Sequence, residues 1–186
     1  MQTAQTIESA PPQERYLFKP FFGSSHWWTI NILEKITIPK KTLDIGSGSG
    51  AMGQFLKSKS WTELDAVEID PEGRKHVAHI YNEIVPTIQE LSGKNYELVL
   101  LLDVLEHLTD PKKFLLELKP YLAPNARLLI SVPNVAHWSM RLSLLLGIWN
   151  YTDRGLLDKT HYHFFTLKNL EKMFKEIPGT KINAFS

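Results

Sequence analysis

Three glycines stand at alternate positions in Asp44-Ile45-Gly46-Ser47-Gly48-Ser49-Gly50-Ala51. The apolar run Thr42 to Ile45 before them reads as a strand, and Met52 to Lys59 after them as a helix. A strand running into a glycine-rich turn and then a helix suits ligand binding. Glycines accept positive backbone angles and let the main chain approach a ligand closely. The helix that follows presents free N–H groups to anionic or carboxylate groups. At the first strand of an open α/β sheet this loop lies where such sheets bind ligands.

Gly46, Gly48 and Ala51 also satisfy a relaxed dinucleotide fingerprint, with an acidic residue downstream. The loop alone therefore does not separate a nicotinamide cofactor from S-adenosylmethionine. Asp44 bears on the choice. It stands two residues before the first glycine, where dinucleotide sites usually hold an apolar side chain, and a carboxylate there can brace the loop amides and attract an ammonium group. S-adenosylmethionine has that ammonium and NAD does not.

The elements that position these residues follow an alternating rhythm. Either Ser24 or Ser25 can cap a helix through Trp27, Trp28, Ile30, Leu33 and Ile36, ended by Pro39. Leu64 to Ile69 is a second strand, and Pro71 opens a second helix at its favoured first position. Ile84 to Ile88 is a weak third strand interrupted by Pro86, and Tyr96 to Leu102 a strong fourth. Pro111 to Leu122 is a helix, and Arg127 to Val132 a fifth strand closed by Pro133-Asn134. This pattern predicts an α/β, Rossmann-like, doubly wound and mostly parallel sheet with helices on both faces. Beyond it, Ala136 to Trp149 is apolar and helical, Asn150 to His163 polar and irregular, and Leu167 to Glu176 helical again. Residues 1–15 read as a flexible tail, Tyr16 to Phe22 as an aromatic stretch, and 136–165 as an acceptor-side insertion in a single domain over 1–186.

Composition narrows the class. With 186 residues and 43% hydrophobic content, the chain can build one sizeable core. A net charge of +1 argues against a dedicated nucleic-acid binder. The absence of cysteine removes disulfides, thiolate metal sites and cysteine nucleophiles together. No signal-peptide pattern and no apolar run long enough to span a bilayer is present, so a cytoplasmic protein is expected.

LDIGSGSGAMG, AVEIDPEG, YELVLLLDVLEHLTDP and ARLLISVPN, in that order and spacing, resemble the motifs of class I S-adenosylmethionine-dependent methyltransferases. The likeness is greatest to a subgroup with a D-V-L-E-H motif, often associated with quinone or cell-surface polysaccharide metabolism, and GLLDKTHYHFFTLKNLEKMF is similar to that subgroup too. The resemblance covers roughly residues 40 to 175. It implies transfer of a methyl group to a small-molecule, saccharide or lipid-linked acceptor, with S-adenosylhomocysteine as product. Carried over, Gly46, Ser47, Gly48 and Gly50 would wrap the methionine part of the cofactor, with Asp44 behind them. Glu68 would accept hydrogen bonds from both ribose hydroxyls, and Ile69 would lie against the adenine. Asp70, two residues further on, is set aside in favour of Glu68, the position the motif matches. Asp103 and Val104 would line the other side of the cofactor, with His107 nearby. No metal is expected, and His161 is the candidate base on the acceptor side.

The chain departs from that pattern in three places. Where the third strand usually ends in an acidic residue near the adenine amine, Pro86-Thr87-Ile88 stands, leaving Thr87 as the candidate contact. His161-Tyr162-His163 replaces the usual His-x-Arg before Phe-Phe-Thr. The hairpin that normally completes the sheet is missing after a possible sixth strand, Lys181 to Phe185, and an unpaired sheet edge favours a homodimer. A binding domain of the same fold without catalysis, and an NAD-dependent oxidoreductase, are the alternatives. Met140 to Trp149, with leucines at 142, 144, 145 and 146, reads as a lid over an apolar acceptor or as a packing face.

Overall fold

The computed structural model describes residues 24–183. The tail, the aromatic stretch Tyr16 to Phe22 and the end of the possible sixth strand lie outside the described residues. The chain resolves into two compact units, Met1–Ser92 and Gly93–Ser186.

In the first unit, α1 (Ser25–Leu33) starts at Ser24, whose hydroxyl accepts from the Trp27 amide at 3.1 Å. Of the two serines, Ser24 is the cap. The helix ends at Leu33 rather than running to Ile36. The β-branched run Ile36-Thr37-Ile38 before Pro39 disfavours helical backbone. β1 (Thr42–Ile45) is buried along its whole length, as expected of a parallel strand covered on both faces. It pairs in parallel with β2 (Leu64–Val67), which pairs in parallel with β3 (Ile84–Val85). β3 stops after two residues because Pro86 has no N–H to continue the ladder, and Ile88 belongs instead to a 3-10 turn, Ile88–Glu90. Between the strands run α2 (Ala51–Ser58) and α3 (Pro71–Val77).

Two glycines set the spacing inside this unit. A Cβ on Gly50 would lie 2.5 Å from Ile80 Cδ1 and 2.8 Å from Val77 Cγ1, and Gly50 has φ 74°. A Cβ on Gly53 would run into the Tyr81 hydroxyl and lie 2.6 Å from its Cζ. The glycines thus let α2 close down on Ile80 and Tyr81, both buried.

In the second unit, β4 (Tyr96–Leu102) is parallel to β5 (Leu122–Ser131). β5 begins five residues earlier than expected. Its pairing slips between Tyr96 and Leu98, so that Leu122 and then Arg127 face the partner strand. The residues between them carry Pro124 and the left-handed Asn125 (φ 62°), and an irregularity of this kind is where a strand tolerates proline. α4 (Pro111–Leu118) gives way to a 3-10 turn at Lys119–Tyr121, because Pro120 cannot donate within a continuing helix. α5 (Trp138–Leu145) and α6 (Leu167–Lys175) complete the unit, α6 opening with a reciprocal capping box between Thr166 and Asn169. Residues 181–183, the described part of the possible sixth strand, form no strand. Among the described residues no helix is long and apolar enough to cross a membrane.

Candidate functional site

The first unit brings the glycine loop and the end of β2 together. Gly46, Gly48 and Gly50 all take positive φ, at 73°, 52° and 74°, a conformation that would strain other residues. The Gly46 amide extends the ladder to Val67 O at 2.8 Å. The Gly48 amide instead donates to Glu68 Oε2 at 2.8 Å, and Asp70 N donates to Glu68 Oε1 at 3.0 Å. One buried carboxylate therefore ties the loop to the strand end. Each of its oxygens keeps a further lone pair for a ligand hydroxyl. Arg74 fixes the same turn, donating to the carbonyls of Glu68 (2.7 Å) and Ile69 (2.8 Å). The Ile69 side chain is 81% exposed beside it, an apolar surface positioned by a rigid turn.

Asp70 has a different task. Its carboxylate caps α3, accepting from Glu72 N at 3.4 Å and Gly73 N at 2.9 Å. Asp70→Ala is therefore expected to lower stability by about 1 kcal/mol, the usual worth of an N-cap, while the Glu68 carboxylate stays in place. Urea unfolding of the variant, with ligand titration alongside, checks both halves.

Asp44 is 3% exposed in β1. Tyr81 Oη donates to its Oδ2 at 2.6 Å. Burial pushes the Asp44 carboxyl up to about 6, with the Tyr81 bond opposing and the Glu68 charge adding to the rise. The Tyr81 hydroxyl is itself driven far above its ordinary range, by burial first and then by the Asp44 charge. Tyr81 has no counterpart among the residues singled out from sequence. Only the glycine at position 53, whose missing side chain admits the ring, hints at it. Ser47 is buried in the same loop, whereas Thr87 is exposed and donates to Glu90 Oε1 at 3.1 Å.

The second unit holds the D-V-L-E-H segment. Asp103 sits just past β4 at φ 55°, a left-handed conformation that aspartate tolerates better than most residues. It is held there by Ser131 at the end of β5. Asp103 N donates to Ser131 O at 3.0 Å, and Ser131 Oγ donates to Asp103 Oδ1 at 2.7 Å. Val104 leads into a 3-10 turn, Leu105–His107. Within it Glu106 is 1% exposed, and neither carboxylate oxygen has a hydrogen-bond partner among the described residues. Burial above all, then the charges of Asp103 and Asp158, push Glu106 up to about 8. Sequence reasoning passed over Glu106, although it lies inside the quoted motif.

The His161-Tyr162-His163 segment is fastened to this turn. Tyr162 N and His163 N both donate to Glu106 O, at 2.8 and 3.2 Å. His161 lies edge-on to His107 with ring centroids 4.8 Å apart. Burial, and then the neighbouring His107, hold His161 below the ordinary histidine range, which favours the neutral ring. His163 bonds the Thr109 carbonyl at 3.2 Å. Downstream of β5, Met140 of α5 is buried, whereas other apolar side chains of α5 and the residues after it are exposed. Leu142 is 50% exposed, Leu145 82% and Leu146 66%, with Trp138 at 69%.

A family model described as a methyltransferase domain matches residues 28–177. A ubiquinone biosynthesis O-methyltransferase of Rickettsia canadensis is 33% identical over 130 residues, covering 63% of this chain and 53% of its own length. That of Rickettsia conorii is 29% identical over 147 residues, covering 75% and 50%. The chain thus spans about half the length of the curated relatives it matches. Among solved structures, a SAM-dependent methyltransferase from Archaeoglobus fulgidus superposes with TM-score 0.59 at 20% identity, covering 82% of this chain and 68% of that one. The plantazolicin methyltransferase BpumL in complex with SAH gives 0.61 at 23% identity, covering 83% and 61%. At these identities the likeness establishes the fold, the Rossmann-like α/β architecture expected from the strand–helix alternation.

Proposed function

The chain belongs to the family of methyltransferase domains, and from that membership we propose that it transfers a methyl group from S-adenosylmethionine to a hydroxyl of a small-molecule, saccharide or lipid-linked acceptor. The observation that carries the proposal is the Glu68 carboxylate bonded at once to Gly48 N and Asp70 N, beside a loop of three positive-φ glycines. A Cβ at Gly50 would collide with Ile80 and Val77, so the last glycine of the loop lets it pack down on the core beneath it. The donor set fits S-adenosylmethionine: buried Asp44 for the ammonium, Gly46, Ser47, Gly48 and Gly50 for the methionine part, Glu68 for the ribose hydroxyls, exposed Ile69 for the adenine face. We assign Asp103, Val104, His107 and Thr87 to the same ligand, and His161 to the acceptor side.

When bound, S-adenosylmethionine supplies an electrophilic methyl group on a sulfonium. The protein's share of the reaction is then to hold donor and acceptor in line, which can contribute several kcal/mol. A hydroxyl acceptor must also lose its proton. A neutral His161 ring can take it. The name O-methyltransferase carried by the Rickettsia relatives supports oxygen as the accepting atom, and the exposed leucines after Met140 support an acceptor with an apolar part.

Calorimetric titration with S-adenosylmethionine, S-adenosylhomocysteine and NADH tests the proposal. Micromolar binding of the two sulfur compounds and none of NADH is expected. Binding of NADH alone would transfer the loop to oxidoreductase chemistry, and binding without turnover on any hydroxyl acceptor would make the chain a non-catalytic binding domain.

A further inference from the structure

We propose that Tyr81 is a positioning residue for the cofactor's ammonium group, acting through the Asp44 carboxylate that its hydroxyl holds. The inference rests on the reading of Asp44 as the ammonium's partner, and adds the residue that makes Asp44 fit for that task.

The chain is built to deliver this hydroxyl. Tyr81 follows α3 and stands between two fixed neighbours. Ile80 is buried, and its amide donates to Val77 O at 2.9 Å. Asn82 is locked to Leu64, the first residue of β2. Its amide donates to Leu64 O at 2.7 Å, and its Oδ1 accepts from Leu64 N at 2.9 Å. From this anchored segment the buried ring meets α2 at Gly53, where a Cβ would run into the hydroxyl. The hydroxyl ends 2.6 Å from Asp44 Oδ2. Packing alone does not call for a tyrosine here, since phenylalanine fills nearly the same space without a buried O–H to satisfy.

The acceptors beside it have capacity left over. The Tyr81 bond takes one of the roughly four lone-pair positions of the Asp44 carboxylate. Ser47 is 8% exposed. Its Oγ is close enough to act on the Tyr81 hydroxyl but has no described partner at hydrogen-bonding geometry. An ammonium offers three N–H donors to acceptors of this kind.

Asp44 serves a cation only while it is ionised. Burial raises its carboxyl to about 6, and the Glu68 charge adds to the rise, while the Tyr81 bond opposes it. Tyr81, after α3, and Glu68, past the end of β2, are the titratable groups that act on it. Burial and the Asp44 charge hold the Tyr81 hydroxyl far above its ordinary range, so it remains a donor at every working pH. Removing that donor moves Asp44 higher still and leaves more of the folded protein with a protonated carboxyl.

The test is calorimetric titration of the full-length protein with S-adenosylmethionine at pH 5.5 and 7.5. Comparing variant with wild type at each pH cancels the ligand's own titration. Tyr81→Phe should weaken binding by at least about fivefold at pH 5.5 and by less than about twofold at pH 7.5, as a rise of about one pH unit in Asp44 requires. Gly53→Ala, which displaces the hydroxyl, should show the same pH-dependent loss. In the Asp44→Asn background Tyr81→Phe has no carboxylate to act on, so the double variant should bind within about threefold of Asp44→Asn at both pH values. Circular dichroism establishes that each variant is folded, and if Tyr81→Phe does not fold, Gly53→Ala is judged by the same criteria. Wild type that does not bind, or Asp44→Asn that binds as wild type does, overturns the reading of Asp44 and this assignment with it. With that reading intact, a folded Tyr81→Phe protein whose affinity relative to wild type is the same at both pH values overturns the assignment of Tyr81 alone. So does a loss that persists undiminished in the Asp44→Asn background.

Discussion

Replacing Glu68 with alanine is expected to weaken S-adenosylmethionine binding by at least about 100-fold while leaving a folded protein. Two effects combine. On the proposed reading the carboxylate accepts from both ribose hydroxyls, and each hydrogen bond to a charged group is worth about 1.5–3 kcal/mol. The same oxygens hold Gly48 N at 2.8 Å and Asp70 N at 3.0 Å, so the variant also releases the loop that surrounds the methionine part. Loss of those two internal bonds should lower stability by about 1–3 kcal/mol. Glu68→Gln separates the two contributions. A glutamine amide has one accepting oxygen, so it can keep one internal bond and sets its NH2 against the other amide. Affinity between wild type and alanine is expected for it. Calorimetry on both variants, with urea unfolding, reads the result. An alanine variant that binds within threefold of wild type would remove Glu68 from the ligand site and leave it the loop-fastening role alone.

How far this site was legible in the sequence depended on whether a residue's task was local. β1 and β4 were placed residue for residue, because both are largely apolar runs, each with one acidic residue, bounded by turn residues. The start of α3 was equally local, read from Pro71 alone, and the structure adds Asp70 as its cap. What separates Glu68 from Asp70 in the structure is not strand alternation, which puts residues two apart on one face. β2 ends at Val67, and Asp70 is turned away by the helix it caps. Tyr81 was invisible because its partner Asp44 lies 37 residues away, and no spacing rule connects them. Glu106 was read as a letter of a motif, since burial without a partner is a property of three-dimensional surroundings. The early start of β5 was missed for the opposite reason. Pro124 and Asn125 are strong turn signals, but the strand absorbs them in a register slip.

Asp44→Asn should make the ligand-free protein more stable at pH 8 and bind S-adenosylmethionine less well. Asp44 is raised from 3.8 to about 6, chiefly by burial. Between those values the folded protein holds a proton that the unfolded chain has lost. The contribution of Asp44 to stability is accordingly greatest below about pH 4, falls as pH rises toward 6, and levels off above it. The gap corresponds to ~3 kcal/mol at alkaline pH. Asparagine carries no charge to bury, and its oxygen can still accept from Tyr81 Oη. Its amide N–H groups are new buried donors, which return about 1–2 kcal/mol of that gain. The net expectation is roughly 1–2 kcal/mol of added stability at pH 8 and none, or a small loss, at pH 4.5. Taking the difference between variant and wild type at each pH isolates Asp44 from the other titrating groups. Binding should move the opposite way. Wild-type affinity rises with pH through about 6, as the carboxylate ionises to meet the cofactor's ammonium, while the variant's is flat across that window and at least roughly tenfold weaker at pH 8. Urea unfolding and calorimetric titration at pH 4.5, 6 and 8 supply both curves. A stability difference that does not change with pH would mean that Asp44 is already paired in the ligand-free fold by more than Tyr81. Equal affinity at pH 8 would mean that the ammonium is held elsewhere. The expected pairing of gain and loss has a physical origin: a charge kept buried for a ligand destabilises the fold until the ligand arrives.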